Sequence, residues 1–199
     1  MPPMPFATPV PSGPPRNLLW TVPQFHYLGD LGCFEGRRAW LINGVIIEEG
    51  PMNPPHAIAA TKTEDLIRDL FRNGYHVRVA KPLVVGQITD PEPDVAVVVG
   101  KPADYTAHPT TAALVIEVSD TSLTHDITTK AEIYATAEIA DYWVLDVDGR
   151  RLLVFRDPVV LPAGLGATAY RTQLTLGPTD SVAPLAAPTS SVRVSDLLP

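Results

Sequence analysis

Asp94 and Glu117 interrupt two aliphatic runs, PEPDVAVVV over 91–99 and LVIEVSD over 114–120, and Lys130 follows on the next segment. A carboxylate placed where a buried strand would continue with a branched aliphatic needs a cation, because its lost hydration must be replaced. Side chains alternate along a strand, so Val115, Glu117 and Ser119 share one side of theirs. Two carboxylates projecting from neighbouring strands can chelate one hard dication, Mg²⁺ or Mn²⁺, with water, a backbone carbonyl and a substrate oxygen completing the octahedron. Such an ion polarises a phosphodiester and lowers the pKa of bound water, while Lys130 holds the attacking water or stabilises charge on the phosphate. The spacing leaves a second reading equally open, in which Lys130 simply neutralises Glu117 as a structural ion pair.

The surrounding elements must bring these groups together. Residues 94–99 and 113–119 are rich in valine and isoleucine, the composition of central strands covered on both faces. Helical spacing through Ile127, Lys130, Ala131, Tyr134 and Ala135 predicts a helix over 126–137, with Thr124 or Asp126 as caps. Tyr134 then lies one turn beyond Lys130, within reach of the same space or packed in the core with its hydroxyl wet. Upstream, two apolar runs around Asn43-Gly44 predict a hairpin over 38–49, since both residues accept the positive φ of a type I′ turn. Asn53-Pro54-Pro55 opens a predicted amphipathic helix that stops at Gly74, and alternation over 75–85 predicts a strand that breaks or reaches an edge at Pro82. Tyr142–Val147 and Arg151–Arg156 flank Asp148-Gly149 and predict a second hairpin by the same turn logic. Residues 168–175 supply one more strand, and the proline- and alanine-rich stretch 178–190 is a loop. The pattern is that of an α/β domain, α+β in layout, with a central mixed β-sheet flanked by helices and an N-terminal β-hairpin.

At 199 residues the chain suits one domain. A proline-rich arm occupies 1–24, the main domain 25–160, and a C-terminal strand and extended tail, 161–199, pack on it. The formal charge of −7 counts against a nucleic-acid surface spread over the whole molecule, although Arg68, Arg72, Arg78 and Lys81, each individually readable as solvated surface charge, concentrate positive charge locally. Cys33 is the single cysteine, which rules out an intrachain disulfide and predicts a buried small hydrophobe. With no secretory leader, the expected location is the cytoplasm. No apolar run approaches the roughly 20 residues of a membrane-spanning helix, so no membrane partner is expected. The five histidines lack a spacing that suggests zinc.

The order PEPDVAVV, LVIEVSD, a helix with Asp126, Lys130 and Tyr134, and then DYWVLDVDGRRLLVFRDP over 141–158 resembles the Uma-type restriction endonucleases of bacteria, formerly a domain of unknown function. That family is placed in the PD-(D/E)xK nuclease superfamily, and the likeness covers roughly residues 25–160. It implies a restriction-endonuclease-like core, DNA as partner, Mg²⁺ or Mn²⁺ as cofactor, and a homodimer by fold analogy. Residue by residue, it implies metal ligation by Asp94 and Glu117, with the Val118 backbone carbonyl as third ligand. Ser119 stands where the superfamily pattern places its lysine, and Lys130 on the following helix supplies the ammonium group instead. His56 matches a histidine before the family's first helix and could contact phosphate or position water. The family's first hairpin carries a Glu-Leu-Ile-Asp-Gly-like run, whereas this chain has Trp40-Leu41-Ile42-Asn43-Gly44. Both acids are lost, with Glu48, Glu49 and Glu64 as candidates to replace them. The alternative reading is therefore a weakened or inactive nucleic-acid-binding or scaffold protein of the same fold.

Overall fold

A computed structural model describes residues 14–161 and 168–199. Most of the proline-rich arm lies outside the described residues. Helix α1 (Val22–Asp30) begins inside the segment assigned to that arm: Pro23 sits in its first turn, where no N–H is needed, and Thr21 with Gln24 closes a capping box. Strands β1 (Arg38–Ile42) and β2 (Val45–Glu49) pair antiparallel around Asn43 and Gly44, at φ 50° and 77°, as the type I′ turn requires.

Helix α2 (Pro54–Leu70) follows, capped by Asn53, whose side-chain oxygen accepts from the His56 amide. Next come β3 (Tyr75–Val79), β4 (Val95–Val99) and β5 (Leu114–Ser119). Strand β3 is shorter than the alternation suggests, because Ala80 turns to φ 44° and the chain leaves the sheet before Pro82. A continuous helical run then comprises α3 (Leu123–His125), a π-helical turn (Asp126–Lys130) and α4 (Ala131–Thr136). It starts upstream of the expected Thr124 or Asp126 caps, and Asp126 lies inside it rather than at its end.

Strands β6 (Asp141–Asp146), β7 (Arg151–Val160) and β8 (Thr168–Leu176) complete a six-stranded sheet in the order β3-β4-β5-β6-β7-β8. Only β5 and β6 run parallel, so the sheet is mixed. The β6–β7 hairpin forms with a wider turn than the two-residue Asp148-Gly149 expected. Asp146 pairs with Arg151, the Gly149 amide donates to Asp146, and Arg150 rather than Gly149 takes the positive φ. The tail adds β9 (Ser181–Val182), β10 (Val192–Arg193) and α5 (Val194–Leu197).

Alternation along the central strands sorts their side chains into two layers. Val95, Val97, Leu114, Ile116 and Val118 face α2 and the C-terminal tail. Ala96, Val98 and Val115 face the β1–β2 hairpin and the helical run after β5. Helix α1 closes over the hairpin through Val22, Phe25 and Leu41. Cys33 is exposed, contrary to expectation, because it falls in the turns after α1 and not in any of these layers.

Candidate active site

The second layer carries the charge. Glu117 is two residues beyond Val115 and points to the hairpin side, 2% exposed, while Asp94 enters β4 just ahead of Val95 and is 8% exposed. The Val118 amide donates to Asp94 Oδ2 at 2.7 Å, which ties the first acid to the strand bearing the second. Lys130 ends the π-helical turn at 7% exposure, and its ammonium lies 2.9 Å from Glu117 Oε2 and 3.0 Å from Asp126 Oδ1. One turn on, the buried Tyr134 hydroxyl donates to Glu117 Oε1 at 2.6 Å. That hydroxyl is fixed on the acid, not wet.

Asp126 was the residue sequence reasoning underrated. An aspartate near a helix start reads as a cap, but here it is almost fully buried, accepts from Ser122 Oγ at 2.5 Å and shares Lys130 with Glu117. Its backbone carbonyl accepts from Tyr142 at 2.9 Å. The signal available in the chain was the Asp126–Lys130 spacing on one helix face. Ser119, also buried, stands 3.4 Å from Ser122 Oγ and so joins the chain of hydroxyls behind Asp126.

At the mouth, His56 Nε2 lies 3.3 Å from Asp94 Oδ1 and its Nδ1 3.8 Å from Asp120 Oδ1. Asn53 also bonds Asp120, so one residue caps α2 and braces the loop after β5. Of the three glutamates considered as replacements, Glu64 is taken up by Arg68 and Glu48 by Arg37. Glu49 lies 3.0 Å from Arg38 and senses the charges of Lys130, Asp94 and His56. The Trp40 ring has Lys130 Nζ 5.8 Å and Arg38 Cζ 5.6 Å from its centre. An aromatic face thus lies beside two cations. A cavity of about 140 Å³, lined in part by Arg38, Glu49, Asn53, His56 and Asp120, opens here.

Electrostatics follow from this crowding. Burial pushes Glu117 up to about 8, Lys130 opposes the rise, and Asp94 and Asp126 add to it. Burial alone would lower Lys130, but Glu117 and Asp126 more than reverse it and hold the ammonium above the ordinary lysine range. His56 is raised chiefly by its hydrogen bond to Asp94, against burial. Among the described residues, no three His, Cys, Asp or Glu side chains form a closed chelate. Asp94 and Glu117 are hard oxygen donors, the ligand type that Mg²⁺ or Mn²⁺ takes.

Residues 24–194 match the Uma2 family, described as "Putative restriction endonuclease". This chain belongs to that family. The Uma2 match encloses every side chain of the site, from Arg38 to Tyr134, and agrees with the resemblance carried by the strand and helix motifs. A solved structure described as a "putative nuclease belonging to DUF820" from Anabaena variabilis superposes with a TM-score of 0.65 at 16% identity. The superposition covers 89% of this chain and 96% of that one, and it supports the expected mixed sheet flanked by helices. No curated protein matches the sequence.

Proposed function

We propose that this Uma2 member is a metal-dependent endonuclease of the PD-(D/E)xK type that hydrolyses DNA phosphodiester bonds. The observation that carries the reading is the buried convergence of Asp94, Glu117 and Lys130, with Glu117 raised to about 8 chiefly by burial, against the opposing charge of Lys130. Asp94, Glu117 and the Val118 carbonyl would hold Mg²⁺ or Mn²⁺, which when bound supplies Lewis-acid stabilisation of the phosphate and a more acidic water. Tyr134 fixes one oxygen of Glu117 and leaves its second lone pair to a ligand. Lys130 keeps its proton, held by Asp126 as well as Glu117, and presents positive charge to the attacking water or the phosphate. His56, raised and placed on Asp94, orients that acid and meets substrate at the mouth.

A second reading has its own support. Both oxygens of Glu117 are already engaged, and Trp40 and Asn43 stand where the family has acids, which fits a weakened or inactive DNA-binding protein of the same fold. Assays on plasmid and single-stranded DNA with and without Mg²⁺ or Mn²⁺ divide the two. Metal-dependent nicking that disappears in Asp94→Asn and Glu117→Gln, and falls by about 100-fold or more in Lys130→Ala, is the expected result. Cleavage indifferent to all three changes removes the site from the reaction. Saturable Mn²⁺ binding without cleavage favours the second reading.

Two further parts belong to the proposal. A homodimer would bring a second site for the second strand, and a monomer by light scattering would remove that part. Cytoplasmic action suits the exposed free thiol of Cys33, and persistent oxidation of that thiol in freshly lysed cells would speak against it. Among the described residues, no helix is long and apolar enough to cross a membrane.

A further inference from the structure

A second cluster of cations lies on the same face of the sheet, away from the acids. Arg78 pairs with Ala96 across β3 and β4, and His76 with Val98, so both side chains share the face of Ala96 and Val98. Together with Lys81, Tyr105, His26 and His108 they line a pocket of about 770 Å³. Three histidines far apart in sequence meet here. His26 and His108 stack edge-on at 5.7 Å, and His26 is held by the buried Asp90 at 2.6 Å.

Arg78 is unusual in its setting. Of the partly buried arginines among the described residues, Arg38 and Arg156 pair with carboxylates, whereas Arg78 reaches the Pro82 carbonyl at 3.2 Å and His108 Nδ1 at 3.5 Å and no carboxylate. Its Nε is buried without a partner, and burial lowers its proton affinity. His76 and His108 are likewise lowered, chiefly by burial with Arg78 adding to it, while Asp90 opposes the fall at His108. A half-buried guanidinium flanked by Lys81 and imidazoles, in a chain of net charge −7, creates a standing demand for an anion. The Tyr105 hydroxyl donates to the Val99 carbonyl at 2.6 Å, which fixes its ring at the pocket wall. Cations beside a fixed aromatic ring match the phosphate and the base of one nucleotide.

We propose that this pocket holds one nucleotide of a single DNA strand, its phosphate on Arg78 and Lys81 and its base against Tyr105. The site deepens the nuclease reading and rests on it for the choice of a polynucleotide. Arg78 and Asp94 are near one another by register: Ala96, the partner of Arg78, is two residues from Asp94, which sets the two backbones within roughly 10 Å. A strand seated here can therefore run on toward the acids.

Anisotropy of a labelled oligothymidylate, read on the full chain in EDTA, tests this without turnover. Arg78→Gln and Lys81→Glu should each weaken binding about tenfold and flatten the salt dependence by about 0.7 per lost phosphate contact. Lys81 is exposed, so its variant keeps the fold even where Arg78→Gln does not. Arg171→Gln, on exposed β8, should leave affinity unchanged. Equal affinity for the wild type and Lys81→Glu overturns the proposal, as does an Arg171→Gln loss of the same size. Thymidine monophosphate binding as tightly as the oligomer, with the same Arg78 dependence, overturns the strand assignment. Failure of the two ideas is separable. Arg78-dependent binding in a chain that cuts nothing counts against the nuclease reading alone, and metal-dependent cutting with Lys81-independent binding counts against this pocket alone.

Discussion

Glu117 concentrates the cost of the site in one residue. Between its ordinary value of 4.5 and about 8 the folded chain retains a proton that the unfolded chain has released, so folding stability falls as pH rises through that window. The contribution is fully present below the lower value and lost above the upper one. Its slope reaches about 1.4 kcal/mol per pH unit if the proton is carried by Glu117 alone. In EDTA, the stability difference between wild type and Glu117→Gln should shift in the variant's favour as pH is raised from 4.5 to 8. Urea melts at several pH values measure this. A difference that stays flat would mean that Lys130 compensates the acid completely. Legibility at this scale follows the same physics: Asp94 and Glu117 stood out because acids do not belong in valine-rich runs. Asp126 did not, because an aspartate at a helix start has an ordinary use, and Trp40 gave no hint that its ring would lie beside Lys130.

Elements whose signals were local were the easiest to read. Asn43-Gly44 fixed the first hairpin, and Asn53-Pro54-Pro55 marked the start of α2, because cap and turn chemistry acts within a few residues. The end of β3, the wide β6–β7 turn and the π-helical turn were hidden, since each depends on contacts made by other parts of the chain. In α1, Pro23, which falls within the segment assigned to the arm, occupies the one helical turn that tolerates a proline. The Asn53 cap links an element to the site, for it serves the α2 amides, the loop carrying Asp120 and hence the placement of His56. Asn53→Ala should cost about 1 kcal/mol and lower the melting temperature by roughly 2–4 °C. Thermal denaturation monitored by circular dichroism gives the number. An unchanged melting temperature would show that the helix start is set by Pro54 and Pro55 alone.

Over the whole molecule, an excess of seven negative charges opposes the approach of a polyanion, and the two regions that could meet a strand differ in sign. The pocket around Arg78 and Lys81 is cationic without help. The site around Asp94, Glu117, Asp126 and Glu49 is rich in carboxylates, so on the proposed reading a dication offsets part of that charge before a phosphate enters. Linkage then requires that a divalent ion and DNA strengthen one another's binding by the same factor. Millimolar Ca²⁺, a hard ion of the same ligand preference, should raise the affinity for an uncleaved duplex by about tenfold at fixed ionic strength. Doubly substituted Asp94→Asn/Glu117→Gln should show no such gain, because its carboxylates no longer repel the strand or hold the ion. Its affinity in EDTA should therefore exceed that of the wild type. Anisotropy titrations of both proteins, with and without Ca²⁺, decide the matter: a gain of equal size in the double variant would place the ion's effect on the DNA and not on these acids.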